Sequence, residues 1–147
     1  QLAAGGLQFT SGYCSASTCT PTRYAMLTGT HAFRVKGTGI AGPNSPALIK
    51  PDVVTMPDLL QKAGYKTAVI GKWHLGRLPN YGPLKSGYDQ FWGMRGGAVD
   101  YFTHANAMGP DLWDDDTRTS AEGYLTDLLG DRAVDYVSEK AGGDRPA

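Results

Sequence analysis

Five consecutive residues carry the first pattern with chemical potential: Cys19-Thr20-Pro21-Thr22-Arg23, running on into Leu27-Thr28-Gly29. Thr-Pro reads as the start of a short helix, with Thr20 as N-cap, Pro21 at the first helical position and Gly29 as the stop. Cys19 then stands just before a helix whose free N–H groups and positive dipole end favour an anion. Arg23, one turn along, can bring a planar and permanently charged fork back to the same spot. A nucleophile, a helix N-terminus and a guanidinium together suit a tetrahedral oxyanion. A small buried cysteine ahead of a helix is the competing reading, and this motif alone leaves both open.

The second pattern is Gly64-Tyr65-Lys66-Thr67-Ala68-Val69-Ile70-Gly71-Lys72-Trp73-His74-Leu75-Gly76. Its compact apolar run, Thr67 to Ile70, predicts a buried strand that ends at Gly71. Lys72 and His74 follow directly, and an extended backbone would turn both to one side. Lysine would hold an anionic oxygen, and histidine could move protons near neutral pH. The alternative is a solvated Lys72 and a loop histidine packed on Trp73.

These residues need a frame to position them. Thr55 and Asp58 form a capping-box pattern, Leu59, Leu60 and Ala63 give an apolar face, and Gly64 is a natural stop. Helix, glycine turn and buried strand is the grammar of an α/β sheet, whose ligands gather beyond the carboxyl ends of strands. Residues 30–54 and 81–116 read mostly as loop, with aromatic anchors at Phe91, Trp92, Phe102 and Trp113 in the second stretch. A last helix is expected from a cap at Ser120 to about Lys140, with Leu125, Leu129, Ala133 and Val137 as its core stripe, widened by Leu128 and Tyr136.

Composition narrows the field. With 41% hydrophobic and 19% charged residues the chain has globular rather than disordered composition. Fourteen basic residues balance fourteen acidic ones, so no polyanion-binding surface is indicated, and nucleic acid is not an expected partner. No run approaches the roughly 20 apolar residues of a membrane span. A disulfide between Cys14 and Cys19 would close a very small loop and add little, so a separate role for each is the favoured reading.

Taken together, Cys-x-Pro-x-Arg with Leu-Thr-Gly, followed by Gly-Tyr-x-Thr-x-x-x-Gly-Lys-x-His, resembles the two signatures of the sulfatase family. The stretch Leu2 to Thr10 is similar to the family's segment upstream of the nucleophile. Gly87-Tyr88-Asp89-Gln90-Phe91-Trp92-Gly93 and Gly123-Tyr124-Leu125-Thr126-Asp127 match later segments in order. The resemblance implies an α/β fold, an alkaline-phosphatase-like mixed sheet flanked by helices, incomplete in this chain. Residues 1–147 would be the N-terminal-to-middle part of a catalytic domain truncated at both ends.

The implied chemistry is hydrolysis of sulfate esters. A maturation enzyme would oxidise Cys19 to formylglycine, whose hydrate attacks sulfur with help from a bound calcium and then releases sulfate through its second hydroxyl. By the same resemblance Arg23 holds the formylglycine, Lys72 binds the sulfate, and His74 assists proton transfer. Residue 19 would also be a metal ligand, the hard cation taking oxygen donors. The substrate would be a small-molecule or carbohydrate sulfate ester, and the compartment periplasmic or secreted.

Thr22 stands in place of the more usual serine, and Thr30 where many members have arginine. The family's paired aspartates, its Asp-Asn metal ligands and its later histidine and lysine are not in this sequence, so the chain alone is expected to be inactive. Asp100 and His104 fall in an aromatic loop that could border the pocket, which makes His104 a candidate substrate-binding residue. Asp114-Asp115-Asp116 lacks the spacing of a calcium loop and reads as a solvated run. Two rivals stay in view: a phosphoesterase or phosphonate monoester hydrolase of the same superfamily, and a silent piece that only binds sulfated ligands.

Overall fold

The computed structural model describes residues 3–76, 82–140, 143 and 146. Its first regular element, α1 (Cys19–Thr28), follows an extended Thr18 and stops at Gly29, which adopts φ 66° and donates its N–H to Ala25 O at 2.9 Å. The helix therefore begins before the expected cap. Thr20 lies inside its first turn because its buried hydroxyl is engaged with a distant segment, not with the helix's own amides. Thr20, Tyr24 and Leu27, at i, i+4 and i+7, form one buried stripe. The following stretch is irregular as expected, apart from a 3-10 turn at Ala32–Arg34.

Helix α2 (Met56–Lys62) carries the anticipated capping box: Thr55 N–H donates to Asp58 Oδ2 at 2.8 Å, and Asp58 N–H to Thr55 Oγ1 at 3.4 Å. Its expected apolar face is not packed, since Leu59 is 58% exposed and Ala63 is also exposed. The helix is held at its N-terminus instead. Pro57 is buried, and the Thr55 hydroxyl donates to Ser86 O at 2.7 Å.

Strand β1 (Ala68–Lys72) runs through Gly71 rather than ending there, and most of it is half-buried. Among the described residues it pairs on one side only, in parallel with β2 (Gln90–Met94), a strand in a stretch that reads as loop. The register sets Val69 against Phe91 and Gly71 against Gly93. A Cβ on Gly93 would fall 2.0 Å from Gly71 O, so the glycine that looks like a turn signal is what lets the strands approach. Beyond β2 lie β5 (Trp113–Asp114) and β6 (Thr117–Arg118), both antiparallel, giving the mixed order β1-β2-β5-β6. A separate two-stranded ladder joins β3 (Ala105–Asn106) and β4 (Gly109–Pro110).

Helix α3 (Leu125–Lys140) starts later than expected and packs on β1 and β2. Of its predicted stripe only Leu125 is buried, and Val137 is 60% exposed. The residues from Ser120 to Tyr124 form no helix; the Leu125 amide is taken by Tyr101 O at 2.8 Å. The core gathers Tyr24, Leu27, Ile49, Trp73, Leu75 and Phe91. Each such large apolar side chain contributes roughly 1.5–3 kcal/mol on burial. Because Trp73 and Leu75 belong to it, the segment beyond β1 is anchored from within. Phe102, expected as an anchor, is 69% exposed.

Candidate active site

Two hydrogen bonds dock the first turns of α1 on the segment leaving β1. Arg23 Nη1 donates to Lys72 O at 2.5 Å, and Thr20 Oγ1 donates to His74 O at 3.0 Å. Residues forty-nine and fifty-four positions apart are thereby fixed to one another. Cys19 sits at the first helical position, half-buried, with a free thiol, and Cys14 is free and exposed. The N-cap residue Thr18 makes no side-chain cap bond, and the first turn of the helix carries no acidic residue. Pro21 has no N–H and Thr22 N–H returns to Thr18 O, so the tip of α1 presents the Cys19 and Thr20 amides.

His74 has φ 56°, so the extended-chain argument that placed it beside Lys72 does not hold. The turn nevertheless leaves the two cations near it. Its pKa lies below the usual 6.5, chiefly through burial, opposed by a hydrogen bond to Ala41 and reinforced by the charges of Lys72 and Arg23. The backbone N–H of His74 donates to Arg95 O at 3.1 Å, and its ring Nε2 lies 2.9 Å from Ala41 O. A carbonyl can only accept, so Nε2 carries the hydrogen and neutral His74 has a bare lone pair on Nδ1. Nδ1 is buried and has no partner among the described residues.

A cavity of about 390 Å³ opens beside this histidine, between the 41–43 and 106–108 segments, with Gly96 and Gly97 on its wall. Of the four candidate catalytic residues only His74 lines it. The Gly97 backbone lies so close to the imidazole that a Cβ would meet its Cε1 and Nε2 at 2.8 Å. The wall is held by Asp111, whose carboxylate accepts from Gly96 N at 2.7 Å, Asn106 Nδ2 at 3.1 Å and Trp113 Nε1 at 2.8 Å. Nothing in the sequence marks Asp111 for this role.

His104 does not line the cavity. It is buried, with Nε2 3.1 Å from Gly123 O, and ties the aromatic loop to the approach to α3. Asp100 is exposed and caps its own turn. The aspartate run is more than a solvated patch. Asp115 Oδ1 accepts from Phe91 N at 2.9 Å, and Asp116 pairs at 2.6 Å with Arg95, whose guanidinium lies over Trp113. Among the described residues no group of three or more His, Cys, Asp or Glu side chains could hold a metal ion, and no helix is long and apolar enough to cross a membrane.

A sequence model of the sulfatase family matches residues 1–147. The chain is 47% identical over 88 residues to an N-acetylgalactosamine-6-O-sulfatase of Bacteroides thetaiotaomicron, covering 60% of this chain and 17% of that protein. It is 42% identical over 97 residues to arylsulfatase A of Bos taurus, covering 64% and 19% respectively. A solved structure of a protein in complex with its substrate D-glucosamine-2-N,6-O-disulfate superposes with a TM-score of 0.66 at 30% identity, over 91% of this chain and 24% of that one. The chain thus spans less than a quarter of the length of each of these proteins.

Proposed function

Since the chain belongs to the sulfatase family, we propose that the protein hydrolyses sulfate esters of carbohydrates, with residue 19 as nucleophile once its thiol has been oxidised to formylglycine. The observation that carries this reading is the docking of the α1 tip on the β1 exit, through Thr20 to His74 and Arg23 to Lys72. It gathers a modifiable thiol, a helix N-terminus, two cations and a base-competent imidazole. The carbohydrate class follows the relatives, one named for N-acetylgalactosamine-6-O-sulfate and one bound to a disulfated glucosamine.

When present, formylglycine supplies a hydrated aldehyde, one hydroxyl to attack sulfur and a second through which sulfate leaves. The half-buried thiol at the uncapped helix tip fits that modification. Lys72 holds sulfate oxygens and offsets the negative charge that grows on them. Arg23, fixed by its bond to Lys72 O, keeps a permanent positive charge at the α1 tip and orients residue 19. His74 is neutral near pH 7 because burial and two neighbouring cations lower its pKa, so Nδ1 can take the proton of the attacking hydroxyl. The described residues do not fit a calcium site by themselves.

The test uses the complete enzyme, matured by co-expression with a formylglycine-generating enzyme. Peptide mass at residue 19 should show the aldehyde, and aryl sulfate turnover should exceed that of the matched aryl phosphate and disappear in Cys19→Ala. Preference for the phosphate would establish the phosphoesterase reading. Turnover undiminished by Cys19→Ala would remove residue 19 from the mechanism.

A further inference from the structure

Buried hydroxyls inside helices ordinarily turn back to a carbonyl of their own helix. Thr28 does so, donating to Tyr24 O at 2.8 Å. Thr20, in the same helix and fully buried, does not. Because α1 begins at Cys19, no carbonyl of the helix lies four residues behind Thr20. Thr20 Oγ1 instead donates to His74 O at 3.0 Å and accepts from Ala41 N–H at 3.1 Å, while His74 Nε2 lies 2.9 Å from Ala41 O. Three residues from three separate segments thus close a circuit: hydroxyl to histidine carbonyl, imidazole to alanine carbonyl, alanine amide to hydroxyl.

We propose that Thr20 is a positioning residue for His74, its hydroxyl fixing the Ala41 peptide so that the imidazole is held as the Nε2–H tautomer with Nδ1 unpaired. The circuit uses every polar atom of Ala41, and with Arg95 O it uses every polar atom of His74 except Nδ1. Without the hydroxyl, the Ala41 amide and the His74 carbonyl lose this common partner. The Ala41 carbonyl is then free to swing away from Nε2, and the Nδ1–H tautomer becomes competitive. Gly97 presses on the ring from another side, so the ring cannot follow by sliding. The geometric claim stands apart from the chemistry, whereas its consequence for catalysis rests on the sulfatase reading above.

The experiment compares Thr20→Val, which keeps the shape and loses the hydroxyl, with Thr20→Ser, which keeps the hydroxyl, in the complete enzyme. Imidazole nitrogen-15 shifts, assigned with His74→Gln, report the tautomer in protein whose Cys19 is unconverted, independently of turnover. Wild type and Thr20→Ser should show a protonated Nε2 and a bare Nδ1, and Thr20→Val a mixture. A general base contributes about 10²–10⁴-fold, so Thr20→Val should lose at least about tenfold in kcat per converted site with KM nearly unchanged. Peptide mass at residue 19 corrects for any loss of conversion, since Thr20 is its neighbour. A wild-type spectrum with hydrogen on Nδ1 overturns the proposal whether or not the variants fold. So does Thr20→Val with the wild-type tautomer and kcat. A wild type inactive on sulfate esters but showing the expected tautomer would overturn the function and leave the positioning role standing.

Discussion

The guanidinium of Arg23 and the main-chain carbonyl of Lys72 are 2.5 Å apart, and this one bond sets the first turns of α1 against the end of β1. Its donor carries a permanent charge, so the bond fixes geometry and also brings positive potential to the strand exit. Tyr88 senses that charge: burial raises its pKa and Arg23 opposes the rise. The other end of the docking is Thr20 on His74 O, so the two contacts act as a hinge pin with two bearings.

Arg23→Ala should therefore cost both stability and activity. Hydrogen bonds to charged groups are worth about 1.5–3 kcal/mol, and the half-buried setting puts the expected loss near the lower end. Arg23→Lys keeps the charge and loses the fork, so it should recover little activity. Denaturant unfolding and kcat/KM measured side by side are the check. Full activity in Arg23→Lys would show that charge alone suffices.

Lys72→Ala should lose far more activity than Lys66→Ala. Lys66 precedes β1, and Lys72 is its last residue, at the end where the site lies. Loss of one preorganised charge contact costs on the order of 10²–10³ in rate. Small and equal effects from both substitutions would mean that the sulfate lies elsewhere.

The two-motif pattern made the candidate site legible because its candidate residues sit in two contiguous runs. The α1 stop at Gly29 and the Thr55–Asp58 box were legible for the same local reason. Strand β2 was not, because its buried positions are Phe91 and Gly93, and a glycine that permits close approach reads as a turn. The exposed side of α3 was equally hidden, since amphipathic pattern says which face is apolar and not what covers it. Nor could spacing show that the irregular 30–54 stretch supplies Ala41 to the imidazole. Spacing likewise does not show that His104 ties the aromatic loop to Gly123 O, or that Asp116, read as solvated, is the ion-pair partner of a buried arginine.

Gly97→Ala should act through His74. The new Cβ would stand 2.8 Å from two ring atoms, and the ring must tilt away from Ala41 O to relieve the contact. Gly39→Ala is the control, because a Cβ there meets nothing within 4 Å. We expect a loss of about tenfold or more in kcat for Gly97→Ala, drawn from the general-base contribution, with Tm close to that of the control. Equal activity in the two variants would show that the ring has room that the close contact denies.

Asp100 gives a pH-dependent signature away from the catalytic residues. Its carboxylate accepts from Thr103 N at 2.8 Å, Phe102 N at 3.0 Å and Thr103 Oγ1 at 3.1 Å, and these bonds hold its pKa below the ordinary 3.8. A depressed folded pKa means that the ionised form is favoured by folding. The contribution is complete above the unfolded value of 3.8 and is lost as pH falls through the folded pKa. Amide exchange at Phe102 and Thr103, corrected for intrinsic rates, should accelerate only below that value, and Asp100→Asn should abolish the pH dependence. Acceleration that begins near neutrality would assign the turn's stability to another group.

The 147-residue chain expressed alone should not turn over sulfate esters, even with residue 19 converted. Arg23 and Lys72 bring two positive charges close enough to lower the pKa of His74, and the described residues offer no carboxylate cluster to offset them or to hold a metal cation there. Such a site attracts sulfate through charge that salt screens, with a Debye length of about 10 Å at 0.1 M. It does not assemble the charge pattern needed to activate a hydroxyl. The chain also leaves Leu7 at 79%, Phe9 at 76% and Tyr13 at 92% exposure, and among the described residues no strand covers the outer edge of β1, so association is the expected fate of the chain alone. The check is an activated aryl sulfate with the purified, converted chain in excess calcium, read together with light scattering. Calcium-dependent turnover that vanishes in Cys19→Ala would show that these residues build a competent metal site unaided, against the geometry of the described side chains.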